Sequence, residues 1–348
     1  MLVLAIVFLI FANVVNHSKG ISTNVKTACL FLAYLWLILI FSFRGPEVPD
    51  TLAYMKIYYG NFAASYFEYL YSILCRLARS VGLGFNGFLF LYQIILFILW
   101  FTATRKILTD IHLAFMVFLP FMGVYNFGII IRAGMGLSVC YIALTYLIQN
   151  RSLKGYIIYY TIVTAAVFFH QSMIVFYILP LYVFKDIKTL FLFIIIIISV
   201  LIPLFNIQHI IANFLEAYIK FFSFNKFLSY TQIHANFSLH AIYSLTMIKY
   251  TIMAIIFLWL RPKITSKKEL YNFFLNIYIT GVLMISMTFF IAAGNRLAYM
   301  FFFFEFALVG LVYEYSELPK KLVFLSAILL ALLNYANLVS AIPVMLTY

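Results

Sequence analysis

The sequence has very few charged residues, and this scarcity excludes most classes of soluble protein. Only 9% of its 348 residues are Asp, Glu, Lys or Arg, whereas 66% are hydrophobic. Soluble globular domains are roughly one-quarter charged and about half apolar. The mean hydropathy is +1.08, and apolar runs long enough to cross a bilayer as a helix recur along the chain. The composition therefore predicts a polytopic membrane protein.

The sequence is also poor in cysteine and contains no long polar segment. Its three cysteines, Cys29, Cys75 and Cys140, are odd in number and lie in or beside apolar runs, so no disulfide framework is expected. Because no polar stretch could fold as a separate domain, we predict one polytopic membrane domain over residues 1–348. Within it we expect an outer loop with a surface helix at 44–85 and a second outer loop at 206–238.

The basic residues are scattered singly and in pairs between the apolar runs, although the formal net charge is +13. This distribution is typical of membrane-flanking anchors and offers no contiguous basic surface to a nucleic acid. Cytoplasmic loops of membrane proteins are enriched in Lys and Arg. If the N-terminus lies outside, every inside connection carries at least two basic residues. The apolar segments between these connections predict an all-α protein with about 11–12 transmembrane or re-entrant helices.

The same alternation decides the topology of two ambiguous segments. Residues 63–80 cannot cross the membrane, because the later basic loop RPKITSKK would then face outward. An amphipathic outer-face helix near 62–80 fits better. Residues 156–184 must cross and return with a break near His170, since each arm is shorter than the roughly 20 residues that a spanning helix needs. Irregular backbone at membrane depth is tolerated where it lines a protein cavity, so the break draws attention to His170.

With this topology, the rare polar residues of the chain converge on the outer side. Arg44, Glu47 and Asp50 directly follow the second span, and Arg132 heads the fifth. The other members of the group are Glu68 in the surface helix, His170 at the break, Arg296 at the start of a late span and Glu305 within that span. Three converging arginines indicate a doubly charged anion. A lipid-linked pyrophosphate is the obvious candidate, because guanidinium groups match phosphate oxygens in pairs.

Taken alone, several of the rare polar residues also have a purely structural interpretation. Arg44 could be an interfacial anchor whose stem covers apolar surface, and His170 a hydrogen-bonded packing residue. Glu305 could pair with Arg296, and Lys249 could be a buried counter-ion. The acidic residues and histidines have no spacing typical of metal ligands, so we expect neither a metal ion nor another cofactor.

Five segments of the sequence occur in the order and spacing typical of one membrane-protein family. They are FRGPEVPDTLAYMKIYYG, FEYLYSILCRLARSVG, IRAGMGLSVCYIALTYLIQNRSLKGYIIY, FFHQSMIVFYILPLY and GNRLAYMFFFFEF. From about residue 41 to 310 the chain resembles the EpsG family. These are Wzy-like membrane proteins that polymerise the repeat units of exopolysaccharide, capsule or O-antigen. The resemblance implies a GT-C-like membrane glycosyltransferase architecture.

The resemblance also implies roles for particular residues. Its motifs imply diphosphate binding by Arg132, Arg296 and Arg44, and catalysis by His170, Asp50 or Glu68, of which His170 is the favoured base. Substrate binding is expected of the remaining candidates, which are Glu47, Tyr54, Tyr299 and Glu305. The first outer loop departs from the family pattern by two prolines and by Glu47, so the roles of Glu47 and Asp50 are interchangeable at this point.

The resemblance finally implies partners and a location, and it leaves two alternative functions open. The donor and acceptor would be polyprenyl-diphosphate-linked glycans, and a chain-length regulator and a flippase are expected partners besides membrane lipid. The site would face the periplasmic or extracellular side of the bacterial cytoplasmic membrane. Two alternatives stay open at this stage. One is a flippase or exporter of the same lipid-linked glycan, and the other is an O-antigen-ligase-like glycosyltransferase or a membrane acyltransferase using His170.

Overall fold

The computed structural model describes residues 1–60, 69–205, 245–288 and 294–342, together with Ile207 and Ile210. The chain divides into two compact units. The first contains residues 1–178 and 320–348, and the second contains residues 179–319. Across the described residues the fold is helical, with one isolated antiparallel bridge between Ile264 and Ser316. The prediction of an all-α protein is confirmed, whereas the prediction of one continuous membrane domain stays a prediction.

The helices of the described residues are labelled α1 to α14 in chain order. They are α1 (Leu2–His17), α2 (Thr23–Ser42), α3 (Thr51–Tyr58), α4 (Tyr69–Ser80), α5 (Phe85–Arg105), α6 (Ile111–Phe118), α7 (Ile131–Gln149), α8 (Leu153–Phe169), α9 (Thr189–Leu204), α10 (Leu245–Leu260), α11 (Lys268–Thr288), α12 (Gly294–Phe302), α13 (Glu305–Tyr315) and α14 (Lys320–Ala341).

Many of these helices are long and apolar enough to cross a membrane. Eight such segments occur among the described residues: Thr23–Ser42, Phe85–Arg105, Ile111–Ile129, Ile131–Gln149, Leu245–Lys263, Lys268–Thr288, Arg296–Tyr315 and Lys320–Ser340. Four shorter apolar helices accompany them: Leu2–His17, Leu153–Phe169, Gln171–Leu181 and Thr189–Leu204. The eight long and four short segments agree with the predicted number, and the protein is a polytopic membrane protein.

The centre of the first unit is the segment 111–129, in which nearly every side chain is buried. Its first half is α6, and its second half, Leu119–Ile129, is a π-helix with Pro120 near its start. Proline has no N–H group and its ring crowds the preceding turn, which accounts for the wider helix beginning here. Helix α14 packs along both halves. Around this centre α2 packs on α5, α5 on α7, and α7 on α8.

The chain bends sharply between the π-helix and α7. Ile130 at the bend has φ −93° and ψ 58°, outside the helical region. A Cβ atom added at Gly134 would lie 2.1 Å from the carbonyl oxygen of Asn126. The backbones on either side of the bend therefore touch, and only glycine permits this approach. The contact brings α7 back along the helix that precedes it and places Arg132 in the turn next to the bend.

We expect Gly134→Ala to destabilise the protein, because the added methyl group overlaps the backbone of Asn126 and α7 must move. Overpacking of this kind costs roughly 1–3 kcal/mol. The melting temperature of the purified protein measures the effect. Gly87→Ala in α5 is the matched control, since its Cβ atom would meet only a Leu83 methyl group at 3.5 Å. Equal melting temperatures for the two variants would contradict the close contact.

The two segments with an ambiguous topology have short or broken helices. Helix α4 is amphipathic and only 12 residues long, so the predicted amphipathic helix is confirmed for residues 69–80, whereas its location on the outer face stays a prediction. Residues 61–68 lie outside the described residues. Helix α8 ends at Phe169, and the backbone of the next residue, His170, is extended at φ −157° and ψ 122°. The predicted break is therefore confirmed. The arm that follows begins as a 3-10 helix, Gln171–Tyr177, that folds back on α8, where the Tyr159 hydroxyl donates to the Phe176 carbonyl at 2.6 Å.

The second unit is built around α11, which packs against α9, α10, α12 and α13. Polar side chains join the connecting segments at one end of this unit. Arg261 forms an ion pair with Asp186 and donates to the Asn272 side chain at 2.9 Å. Asn276 of α11 donates to the carbonyl oxygens of Val183 and Lys185 at 3.2 and 3.0 Å. The two bonds from Asn276 satisfy backbone carbonyl groups that do not belong to a regular helix.

Candidate functional site

Two of the three predicted arginines meet on one tyrosine ring in the first unit. The guanidinium carbon of Arg44 lies 5.3 Å from the centroid of the Tyr54 ring, and that of Arg132 lies 5.1 Å from the same centroid. Both distances are within the range of a cation–π interaction. Tyr54 is only 1% exposed. The segment after α2, the short helix α3 and the first turn of α7 thus converge on one aromatic side chain.

Tyr71 of α4 extends this cluster. Its ring centroid lies 5.8 Å from the Arg132 guanidinium carbon and 5.7 Å from the Tyr54 ring. Helix α4 packs against both α3 and α8, so it joins the helix that carries Tyr54 to the helix that ends at His170. Burial raises the pKa of the Cys75 thiol, one turn along α4, to about 11. Cys75 is therefore a protonated packing residue at neutral pH.

Arg44 is a buried residue of the site. It is 5% exposed, and its Nη1 atom donates a hydrogen bond to the carbonyl oxygen of Gly128 at the end of the π-helix. A residue that merely anchors the chain at the membrane surface would extend its charged group into water. The position of Arg44 beside the Gly128 carbonyl and the Tyr54 ring does not fit that alternative.

Side chains of α5 satisfy two further carbonyl groups at the bend. The Gln93 amide donates to the Phe127 carbonyl at 2.6 Å, and the Tyr92 hydroxyl donates to the Ile131 carbonyl at 3.3 Å. Both side chains are buried. The last carbonyl groups of a helix have no helical partners, so the bonds from Gln93 and Arg44 satisfy the end of the π-helix. The bond from Tyr92 holds α5 against the first turn of α7, from which Arg132 projects. Neither Tyr92 nor Gln93 was predicted from the sequence, although a lone amide inside an apolar span is a visible signal.

The two acidic residues of the first outer loop have different environments. Asp50 is half-buried and directly precedes α3, with a left-handed backbone at φ 64°. Burial raises the pKa of Tyr54; the guanidinium of Arg132 lowers it, the Asp50 carboxylate raises it and the Arg44 guanidinium lowers it. Asp50 therefore lies within electrostatic reach of the arginine pair. Glu47 is exposed, and its carboxylate lies against Gly45.

His170 lies at the same end of the α7–α8 pair as Arg132. A Cβ atom added at Gly136 would lie 2.8 Å from the Met173 side chain and 3.3 Å from the Ala166 carbonyl oxygen. The early turns of α7 thus touch residues on both sides of His170. The imidazole is half-buried, and its Nδ1 atom is hydrogen-bonded to the Ser172 hydroxyl. This bond orients the ring, as is usual for a histidine that transfers protons.

The remaining candidates lie in the second unit or outside the described residues. Arg296 is exposed in α12, whereas Tyr299 is buried. Glu305 is 2% exposed and accepts from the Lys249 ammonium at 2.7 Å and from the Tyr278 hydroxyl at 2.9 Å. The interpretation of Lys249 as a buried counter-ion is confirmed. Glu68 lies outside the described residues. That Arg296, Tyr299, Glu305 and Glu68 join the cluster of Arg44 and Arg132 stays a prediction.

Metal ligands are not grouped anywhere in the described part of the chain. There, no set of three or more His, Cys, Asp or Glu side chains is placed to hold an ion. The chemistry that the cluster offers is instead that of two guanidinium groups, a half-buried carboxylate and, at the same end of the helices, an imidazole. Such a group can bind a di-anion and accept a proton.

The fold and the arginine cluster define a polytopic membrane protein with two arginines gathered at one end of the helices of its first unit. The family model described as "EpsG family" matches residues 27–348, nearly the whole sequence. The chain belongs to the EpsG family, which is the Wzy-like polymerase family. No curated protein and no solved structure matches it.

Proposed function

We propose that this protein joins polyprenyl-diphosphate-linked oligosaccharide repeat units by glycosyl transfer at the outer face of the bacterial cytoplasmic membrane. The observation that carries the proposal is the meeting of Arg44 and Arg132 on the Tyr54 ring. Membership of the EpsG family supports a polysaccharide polymerase, and the arginine pair supports a diphosphate as the group it handles.

The arginine pair is suited to a leaving diphosphate on electrostatic grounds. Placing two guanidinium groups against one buried ring costs free energy, because like charges repel more strongly away from bulk water. A bound dianion offsets that cost, and guanidinium groups match phosphate oxygens geometrically. In glycosyl transfer, negative charge accumulates on the leaving diphosphate. Fixed cations stabilise this charge most strongly where water is excluded.

The reaction needs an acceptor for one proton. The acceptor hydroxyl oxygen forms a bond to the anomeric carbon of the donor, the bond from that carbon to the diphosphate oxygen breaks, and polyprenyl diphosphate leaves. His170 is the favoured base, because imidazole is the side chain that most often accepts a proton in catalysis near neutral pH. Asp50 competes for the role, as does Glu68. In this proposal Arg296 is a third diphosphate ligand, and Glu47, Tyr299 and Glu305 contact the glycan.

The distribution of basic residues supports an outward-facing site. In the first unit, the helix ends opposite to Arg44 and Arg132 are flanked by the pairs Lys19 and Lys26, Arg105 and Lys106, Arg151 and Lys154, and Lys320 and Lys321. Loops rich in Lys and Arg face the cytoplasm. The arginine cluster then faces away from it, where flipped lipid-linked repeat units are presented. A flippase would supply these units, and a chain-length regulator would act on the product.

Purified protein in liposomes with one synthetic polyprenyl-diphosphate repeat unit provides the test. We expect a ladder of products that differ by one repeat unit, with release of polyprenyl diphosphate. Arg151→Ala, at the opposite end of α7, is the matched control and should give the same ladder. Transport of unchanged substrate across the vesicle would instead identify a flippase, and a single transfer to a different acceptor would identify a ligase. Either result would overturn the proposal.

A further inference from the structure

A long apolar groove runs along the first unit between α2 and α5, away from the arginine cluster. Its volume is about 540 Å³, within the range of roughly 300–1,000 Å³ typical of small-molecule sites. On α5 its lining extends from Phe90 to Arg105. At 1.5 Å per residue this stretch is about 22 Å long, which is most of the roughly 30 Å depth of the hydrocarbon core.

The two ends of the groove differ in polarity. The end towards Ile38 and Phe90 is lined by hydrocarbon alone, whereas Arg105 and His112 line the other end. Arg105 is exposed, and within the described part of the chain no hydrogen bond or ion pair involves its guanidinium group. A cation at the mouth of a membrane-depth groove complements a ligand with an anionic head and a hydrocarbon tail.

His112 is a second hydrogen-bond donor at the same end of the groove as Arg105. The Tyr34 hydroxyl and the His112 Nδ1 atom are 2.5 Å apart. When the hydroxyl donates to Nδ1, the imidazole proton lies on Nε2, which then donates to an acceptor. The nearby Asp110 carboxylate is engaged by His17 at 2.6 Å and by the Leu113 N–H group at 3.0 Å. The polar end of the groove thus presents donors to an anion.

We propose that this groove binds an anionic phospholipid, with one acyl chain between α2 and α5 and its phosphate on Arg105 and His112. The mouth lies among the helix ends with the flanking basic pairs, so the lipid comes from the cytoplasmic leaflet. This site is separate from the cluster of Arg44 and Arg132 and does not depend on the glycosyl-transfer proposal. The lipid stabilises the packing of α2 on α5, the helices that precede Arg44 and carry Gln93.

Titration of the delipidated full-length protein with phosphatidylglycerol, followed by native mass spectrometry, tests the head-group contact. A diacylglycerol with the same acyl chains, which lacks the phosphate, is the reference lipid. We expect phosphatidylglycerol to bind about tenfold more tightly than the diacylglycerol, as one charge-assisted hydrogen bond to the phosphate predicts. Arg105→Gln should remove this preference. Lys106→Gln removes the same charge from the neighbouring residue, which does not line the groove, and should retain it.

A second pair of variants tests the tail contact. Ile94→Trp fills the groove and should weaken phosphatidylglycerol binding, whereas Ile95→Trp on the adjacent, exposed and non-lining position should not. Equal binding of both lipids, or an equal loss in Arg105→Gln and Lys106→Gln, would mean a diffuse lipid shell and overturn the proposal. Displacement of phosphatidylglycerol by polyprenyl phosphate at equal concentration would assign the groove to a different lipid and also overturn it.

Discussion

Replacing Arg132 by alanine is expected to abolish long polymer while the protein still accumulates in the membrane. The guanidinium of Arg132 lies over the rings of Tyr54 and Tyr71, where it would stabilise charge on the leaving diphosphate. Removing one such electrostatic donor typically lowers the rate about 10²–10³-fold. Because each round of extension repeats the step, chain length falls steeply. Electrophoresis of the polysaccharide, beside a membrane immunoblot, measures both quantities.

Arg132→Lys separates the charge of Arg132 from its shape, and variants of two other arginines serve for comparison. Arg132→Lys keeps the charge but loses the paired donors, so we expect short chains rather than none. Arg151→Ala, in the connection after α7, should leave chain length unchanged. Arg44→Ala is a less selective test, because Arg44 also bonds the Gly128 carbonyl and its loss would lower stability as well. Wild-type chain lengths in Arg132→Ala would remove the diphosphate assignment.

Replacing Lys249 by alanine is expected to cause the largest loss of stability. Its ammonium group and the Glu305 carboxylate form an ion pair at 2.7 Å with side chains 1% and 3% exposed. Removing one partner of a buried ion pair costs roughly 3–5 kcal/mol, because the charge of the other partner loses its counter-ion. Tyr278 also donates a hydrogen bond to Glu305, but its hydroxyl group carries no charge. Thermal unfolding of the purified protein in detergent measures the loss.

A double variant tests whether the charge of Glu305, rather than the shape of Lys249, is responsible. Lys249→Met with Glu305→Gln removes both charges at similar volume, and the glutamine carbonyl still accepts from Tyr278. Since well-packed neutral replacements of a buried pair are often tolerated, this variant should recover most of the lost stability. If it unfolds at the same temperature as Lys249→Ala, the ion pair does not explain the destabilisation.

Several features of the fold follow from local properties of the sequence. Composition alone predicts the membrane class. The alternation of basic loops predicts that the ends of α2, α7 and α8 share a side, and the structure brings Arg44 and Arg132 together and places His170 at the same end of α7 and α8. The short helix α4 and the break at His170 follow from the same argument. Each of these predictions depends on segment length and loop charge, which are visible without knowing which helices touch.

Other features depend on contacts between distant segments. The bond from Gln93 to Phe127 forms because α5 packs beside a bend, and neither segment reveals the other in sequence. Tyr54 was predicted from a motif, but its contact with both arginines depends on α3 packing against α4 and on the bend before α7. For Glu305, sequence order suggested Arg296 nine residues earlier. The structure pairs it with Lys249, 56 residues away, because α10 and α13 both pack on α11.

The central claim is that Arg44 and Arg132 bind a lipid-linked diphosphate, and a comparison of affinities tests it most directly. Titration of the purified protein with polyprenyl diphosphate and polyprenyl monophosphate gives the two dissociation constants. We predict that the diphosphate binds at least about tenfold more tightly, as one additional charge-assisted contact requires, and that Arg132→Ala removes the difference. Equal affinities for the two lipids, unchanged in Arg132→Ala, would contradict the account.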